Sequence, residues 1–287
     1  MTSAPDIVAV ILRAAALVLM FQSAGLAIFV GWFGSQLKAS LLEIQQLGTN
    51  VTLAAAVALA ARYSLEASRM SGEFSGALDP SLQSLVLHSS TGGAFILHAA
   101  GMALAGVSFR TPGARLRVFL GVAGALVGAV AFADTGHTSV HAHRPVLALL
   151  LVCHVFIGML WFGALWPLCL ITMRETPAIA GAIIQAFSAY AVWLVPLILV
   201  AGIGMTAILV PGLATFSQPY GQLLIAKVGL FVVLMGLAAA NRRRFGPAVA
   251  SGAGGAGFRS VVAAEFVLIC AVLVVTACLT TFFSPDA

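Results

Sequence analysis

Apolar residues along the chain fall into eight long stretches that are separated by short polar segments. A helix needs about 20 predominantly apolar residues to cross the hydrocarbon core of a bilayer. The pattern therefore predicts an all-α fold, a polytopic transmembrane helical bundle of about eight helices. The predicted helices cover residues 7–33, 47–65, 82–107, 118–135, 146–171, 189–210, 221–240 and 261–282.

The segments between these stretches are too short to form a separate soluble domain. We therefore expect residues 1–287 to form a single integral membrane domain, with three helices in residues 1–117 and five in residues 118–287. The first stretch lacks a basic region before it, is too long for a signal peptide and contains Arg13, so we interpret it as a membrane helix.

The composition agrees with a lipid environment. Only 8% of the residues are charged and 61% are hydrophobic, whereas a soluble domain carries about 25% charged residues. The lipid bilayer is thus the main partner of this chain. The four cysteines lie in apolar runs without C-x-x-C spacing, so the sequence indicates neither a disulfide framework nor a zinc site.

Lysine and arginine residues predict the orientation, because positively charged loops stay cytoplasmic. Nine of them fall on one side of the membrane and three on the other. This bias predicts that both termini are periplasmic in a bacterium, and it attributes the net charge of +5 to orientation, not to a nucleic-acid partner. The larger group is Lys38, Arg110, Arg115, Arg117, Arg174, Arg242, Arg243, Arg244 and Arg259, and the smaller is Arg62, Arg69 and Arg144.

Candidate metal ligands are concentrated on the predicted periplasmic side. The loop after the fourth helix reads D-x-x-H-x-x-x-H-x-H, and it contains Asp134, His137, His141 and His143. Imidazole is the commonest metal ligand in proteins. This spacing makes the loop a candidate metal site. A solvated loop that binds no metal is an equally good interpretation.

Two histidines lie inside predicted helices. From the rise of 1.5 Å per residue, His154 is expected about 12 Å below the outer boundary and His98 about 20–25 Å below it. His98 and Met102 are four residues apart and share a helix face. A nitrogen and a thioether together favour copper, since thioether selects Cu(I). The alternative for each histidine is a hydrogen bond to a neighbouring helix. The alternative for the methionines is that they are packing residues and not ligands, and this applies to Met20, Met102, Met159, Met205 and Met235.

Other buried charges are interpreted as structural. Arg13 and Lys227 are expected about 10 Å inside the outer face, where an ion pair of one of them with Asp134 is plausible. Glu265 is expected to bind Arg259 or Arg242 near the cytoplasmic interface.

Several short patterns in the second half of the chain occur in a familiar order. They are Gly136 and His137, then His154, Trp161 and Gly163 in the pattern H-x6-W-x-G-x-L, then Phe187, Ser188 and Tyr190, then Tyr220, Gly221, Leu223, Leu224 and Lys227, then Asn241 and Arg242, and last Glu265. In this order and spacing the chain resembles the copper resistance protein D family of bacterial inner-membrane proteins. The resemblance covers about residues 130–283, and the first four helices match in layout. The family's usual W-x-G-G is here Trp161, Phe162, Gly163, Ala164.

The resemblance implies a multi-pass protein of the bacterial inner membrane that takes up copper, as Cu(I) or Cu(II), from the periplasm. It also implies a separate periplasmic copper chaperone, because no fused copper-binding domain is visible. The predicted metal ligands are His98, Met102, His137, His141, His143 and His154, with Asp134, Trp161, Arg13 and Lys227 as supporting residues. No Walker motif or D-K-T-G segment is present, so we expect a transporter or metal-binding protein that does not use ATP, rather than an enzyme.

A redox protein is the alternative. Two intramembrane histidines on different helices are potential axial ligands of a b-type haem, and a change of copper oxidation state at the outer site is a related possibility. The sequence leaves open the direction of transport, the oligomeric state and whether the histidines form one metal site or two.

Overall fold

The computed structural model describes residues 4–134, 141–210 and 212–283. These ranges form helices and connections without a strand, and eight of their helices are long and apolar enough to cross a membrane. The prediction of an all-α, polytopic bundle is thereby confirmed. The α-helices are α1 (Ala4–Phe33), α2 (Leu41–Ser71), α3 (Pro80–Leu87), α4 (Ser90–Arg110), α5 (Ala114–Ala131), α6 (Arg144–Arg174), α7 (Pro177–Leu209), α8 (Pro219–Ala240), α9 (Gly246–Ala250) and α10 (Gly255–Phe282).

The third predicted helix, 82–107, is two helices in the structure, because the chain is extended at Ser89. This residue has φ −91° and ψ 172°, and its hydroxyl accepts the backbone N–H of Thr91 as the N-cap of α4. The break changes the expected depth of His98, which lies about 12 Å along α4 rather than 20–25 Å. His154 lies about 15 Å along α6 by the same measure.

Helix α1 occupies the centre of the bundle and packs against α2, α4, α5, α6 and α10. It is apolar on all sides, which is the pattern of a buried helix, and Leu26, Ala27 and Val30 have no exposed surface. The contact between α1 and α6 is made by backbone atoms. A Cβ atom on Gly25 would clash with the carbonyl oxygen of Met159 and lie 2.6 Å from the Cα of Gly163. Small residues permit this close approach of membrane helices.

A side chain of α1 also compensates for a proline inside α6. Pro167 has no N–H for the carbonyl oxygen four residues earlier, which belongs to Gly163. The Nε2 of Gln22 donates to that oxygen across the interface at 3.5 Å. A backbone acceptor that would otherwise be unpaired in the membrane is thus satisfied.

Helices α7 and α8 lie at the edge of the bundle. In the most apolar 18-residue segment of each helix, only 11% of the residues of α7 and 6% of those of α8 are buried within the protein. The corresponding share is 44% for α1, α4, α5 and α6. Their remaining apolar surface faces away from the bundle and suits contact with lipid.

The first and last helices meet at the same end of the bundle, where Nη1 of Arg13 donates to the carbonyl oxygen of Thr280 at 3.2 Å. We call this the terminal end. Helices α1, α4 and α6 all begin there, since successive long helices run in opposite directions. That the terminal end faces the periplasm stays a prediction.

At the opposite end, the carboxylate of Glu175 joins two connections. Its Oε1 accepts the backbone N–H groups of Lys38, Ala39 and Ser40 at 3.0, 2.9 and 2.9 Å and the Ser40 hydroxyl at 2.7 Å. Partial burial alone would raise the pKa of Glu175, but the hydrogen bonds from Ser40, Ala39 and Lys38 lower it below its usual value. Because the folded pKa is lowered, the stabilisation is complete above the unfolded pKa and is lost as the pH falls through the folded one.

Replacing Glu175 with Ala is expected to expose the α1–α2 connection. Hydrogen bonds to a charged acceptor contribute about 1.5–3 kcal/mol each, so amide exchange at residues 38–40 should become at least about 10-fold faster. Hydrogen–deuterium exchange with mass spectrometry measures this. As a control, Asp79→Ala removes another capping carboxylate, which accepts the N–H of Ser81 at 2.8 Å, and should leave residues 38–40 unchanged. Equal exchange at 38–40 in Glu175→Ala and the wild type would contradict the contact.

Candidate metal centre

His98 is buried among α1, α4 and α5, with 5% of its surface exposed. Its ring packs edge-on against Phe132, with ring centroids 4.6 Å apart. Glycines allow α4 and α5 to approach closely here, since a Cβ on Gly101 would lie 2.7 Å from the carbonyl oxygen of Gly124. The histidine lines two cavities.

The polar cavity lies between His98 and the terminal end. Its volume is about 30 Å³, which is enough to hold water. The polar groups that line it are Arg13, Arg62, Tyr63, Glu66, Thr91 and His98. The side of the imidazole that faces the terminal end is therefore next to polar and charged groups.

Charges next to the polar cavity form a network. Glu66 lies 3.8 Å from Arg62 and 3.1 Å from Arg69, and Arg69 in turn lies 3.1 Å from Asp6. Arg13 contacts the end of α10, with Nη1 3.2 Å from the carbonyl oxygen of Thr280. These contacts hold the walls of the cavity in place.

The sulfur cavity lies on the other side of His98, deeper in the bundle. Its volume is about 10 Å³. It is lined by His98, Met20, Met102, Met159, Ser23 and five Gly and Ala residues. The three methionines are 3%, 8% and 2% exposed. The small residues leave space for the methionine tips, and the Cε of Met159 lies 3.7 Å from the position of a Cβ on Gly128.

Three methionines and one histidine line this one space. These residue types suit copper, because thioether sulfur selects Cu(I) and imidazole also binds it. Met102 was predicted as a ligand. Met20 and Met159 were interpreted as packing residues, since they lie far apart in the sequence on α1 and α6. Their depth in the membrane could have grouped them. All three methionines lie about 18–24 Å along helices that begin at the terminal end, so they share one level of the bundle.

The loop histidines are placed at the terminal end, before α6. The rings of His141 and His143 have centroids 5.6 Å apart, and Nδ1 of His141 accepts the backbone N–H of His143 at 3.1 Å. His137 lies outside the described residues. Asp134 is 3.5 Å from Arg144, so the expected ion pair with Arg13 or Lys227 is wrong, because Arg144 at the start of α6 is nearer than either.

His154 does not line the polar cavity or the sulfur cavity. Its Nδ1 donates to the carbonyl oxygen of Ile198 on α7 at 3.1 Å, which leaves Nε2 as the acceptor nitrogen. Lys227 is the nearby cation that acts electrostatically on this ring, as Arg62 and Arg13 act on His98. His98 and His154 thus occupy separate environments. Across the described ranges, no three His, Cys, Asp or Glu side chains are grouped as a metal site.

Glu265 is buried at 3% exposure and does not bind an arginine as expected. Its Oε1 accepts Nδ2 of Asn241 at 2.7 Å, and its Oε2 accepts Nε1 of Trp161 at 3.4 Å. Arg259 and Arg242 bind instead to the Thr172 hydroxyl and the Ser188 carbonyl oxygen. The reason is direction, since Glu265 faces the bundle interior and the arginines lie at its end.

Comparison with protein families gives two matches. Residues 3–144 match the family model described as Copper resistance protein D-like, N-terminal domain, and residues 181–279 match the model described as Copper resistance protein D. No curated protein and no solved structure gives a significant match. The first match extends the resemblance to α4, which carries His98 and Met102. With these matches along eight apolar helices, the chain is a multi-pass membrane protein that belongs to the copper resistance protein D family.

Proposed function

We propose that this protein takes up copper from the periplasm across the bacterial inner membrane and binds it in the sulfur cavity. The observation that carries the proposal is the convergence of Met20, Met102 and Met159 on His98 around one buried space. Membership of the copper resistance protein D family supports copper as the ion. The thioethers favour Cu(I) over Cu(II).

The proposed route begins at the terminal end. A periplasmic copper chaperone delivers the ion to the loop histidines His137, His141 and His143, and the polar cavity leads from that end to His98. The ion then passes the imidazole and enters the sulfur cavity. His154 keeps an acceptor nitrogen on another helix interface and is a separate, second ligand position. The driving force is the copper gradient, the membrane potential or cytosolic copper-binding proteins, as the sequence carries no ATP-binding motif.

A b-type haem between His98 and His154 is the alternative prediction. The two histidines face different helix interfaces, and the cavities beside His98 have volumes of about 30 and 10 Å³. This separation of the two rings favours an ion at His98 over a haem held by both histidines.

Copper uptake into vesicles tests the proposed function. Purified protein in liposomes should carry Cu(I) to the interior, and the triple variant Met20→Leu, Met102→Leu, Met159→Leu should reduce the uptake to that of empty vesicles. Leucine keeps the volume of methionine, which costs under about 1.5 kcal/mol per site, but removes the sulfur. Copper content is measured by mass spectrometry.

The matched control is Met205→Leu with Met235→Leu, since these methionines lie on α7 and α8 and line neither cavity. This double variant should take up copper like the wild type. Equal uptake by the triple variant and the wild type would reject the sulfur cavity as the path. A Soret band in the purified protein would instead favour the haem alternative.

A further inference from the structure

Glu265 is a carboxyl group inside the bundle, and its described hydrogen-bond partners are neutral. It lies about 15 Å along α10 from the end opposite the terminal end. The partners are the amide of Asn241 and the indole of Trp161, at 2.7 and 3.4 Å. Neither of these two hydrogen-bond partners carries a positive charge. Two neutral N–H groups do not offset the free-energy cost of a charged carboxylate in the membrane.

Most charged groups of the surrounding elements have other contacts. On α10 itself, Nη1 of Arg259 lies 3.5 Å from the Thr172 hydroxyl. On α6, the Cys169 thiol is within electrostatic range of Arg259 and Glu265. The other neighbouring elements carry five cations. Arg13 contacts Thr280, Arg242 binds the Ser188 carbonyl oxygen, and Arg244 lies over the Phe245 ring. Lys227 acts electrostatically on His154, and Arg243 belongs to the π-helix described below. None of the ion pairs found among the described residues includes Glu265.

Asn241 adds an unused acceptor to the site. It is 8% exposed, and its Oδ1 is buried without a hydrogen-bond partner in the described part of the chain. Rotation of an amide by 180° exchanges its oxygen and its nitrogen. An ionised Glu265 accepts the Asn241 N–H, and a protonated Glu265 can donate its O–H to the Asn241 oxygen at the same place. The pair is therefore hydrogen-bonded in both protonation states.

Asn241 also begins an irregular turn. Residues Asn241–Phe245 form a π-helix, in which the N–H of Gly246 bonds to the carbonyl oxygen of Asn241. Pro247, in the first turn of α9, has no N–H to offer to the carbonyl oxygen of Arg243 four residues earlier. Such π turns are frequent at functional sites, and this one begins at the residue whose amide bonds to Glu265.

Helix α6 links this site to the sulfur cavity. Met159 lines the sulfur cavity, and Trp161 donates to Glu265. Residues two positions apart differ by about 200° around a helix axis, so the two side chains leave opposite sides of α6. A shift of α6 that accompanies metal binding at Met159 would therefore also move the indole that holds Glu265.

We propose that Glu265 is a reversible proton-binding site that exchanges its proton as copper crosses the membrane. The copper part of this statement rests on the proposed function. On binding, a hydronium ion gives up one proton and becomes water, an O–H bond forms on the carboxylate, and the Asn241 amide oxygen accepts that O–H. On release, the O–H bond breaks, a water molecule takes the proton as hydronium, and the amide N–H again faces the carboxylate. No electron is transferred.

Infrared difference spectroscopy of the full-length protein at high and low pH tests the proton site. The wild type should show the carbonyl stretch of a buried protonated carboxyl group, which disappears in Glu265→Gln and persists in Glu73→Gln, where an exposed carboxyl is changed. Trp161→Phe removes one hydrogen bond and should shift the band, which gives a second measurement if Glu265→Gln does not fold. Identical bands in the wild type and Glu265→Gln, or no shift in Trp161→Phe, would overturn the proposal.

Proton flux in liposomes tests the coupling. A pH-sensitive dye inside the vesicles should report proton movement during Cu(I) uptake by the wild type. In Glu265→Gln this flux should fall to that of empty vesicles, while the purified variant still binds copper, and Glu265→Asp should retain part of it. Copper uptake by the wild type without proton movement would overturn the coupling. If the wild type takes up no copper, the proposed function and the coupling both fail, and the infrared titration alone decides whether Glu265 binds a proton.

Discussion

Replacing His98 with Ala will lower the affinity of the purified protein for Cu(I) by at least about 100-fold. Loss of a hydrogen-bond partner outside the ligand set already costs 10–100-fold in metal affinity, and His98 is the one nitrogen among three thioethers that line the sulfur cavity. It also lines the polar cavity. Competition with a Cu(I) chelator of known affinity measures the change.

The matched control for this substitution is His88→Ala. His88 caps the end of α3, where Nδ1 bonds to the carbonyl oxygen of Ser84 at 2.8 Å, and it lines neither cavity. This variant should bind Cu(I) like the wild type. An unchanged affinity in His98→Ala, in a protein of unchanged helical content, would reject the sulfur cavity and favour the loop histidines as the binding site.

Replacing Gly25 with Ala should strongly destabilise the bundle by adding a methyl group at the contact between α1 and α6. The added Cβ would meet the backbone of Met159 and lie 2.6 Å from the Cα of Gly163. Backbone atoms cannot rotate away as a side chain does, so α1 and α6 must separate. Overpacking of this kind costs about 1–3 kcal/mol and occasionally more, and we expect about 3 kcal/mol. Thermal unfolding in detergent micelles measures the loss.

A glycine with open space is the control for Gly25. A Cβ on Gly229 of α8 would meet no atom within 4 Å. Gly229→Ala should be neutral or should stabilise the protein by up to about 1 kcal/mol, because alanine favours helix. If Gly25→Ala and Gly229→Ala unfold at the same temperature, α1 and α6 are not in backbone contact.

The sequence was sufficient for the fold because membrane helices are recognised by length and hydrophobicity alone. All eight spans were found, but their ends were less well predicted. The apolar residues 82–87 continue into α4 in the hydrophobic pattern, and the break at Ser89 is a local capping interaction that this pattern does not report. Helix α7 begins at Pro177 and not near residue 189, because Thr176 accepts the N–H of Ile179 as its N-cap.

The candidate site was predicted only as far as neighbours along one helix allowed. His98 and Met102 were paired by their spacing on α4. Met20 and Met159 join them through the packing of α1 between α4 and α6, which no local pattern contains. The same limit explains the wrong partners of Asp134 and Glu265, since depth in the membrane was estimated but the direction in which each side chain points around its helix was not.

The position of His98 between a polar space and a sulfur-lined one has a consequence for selectivity. On the proposed route, an ion that moves past the ring gives up its water. Three soft sulfur atoms would compensate Cu(I) for this loss, whereas Mg²⁺ dehydrates reluctantly and prefers oxygen. The proposed route therefore places the discrimination between soft and hard cations at the dehydration step.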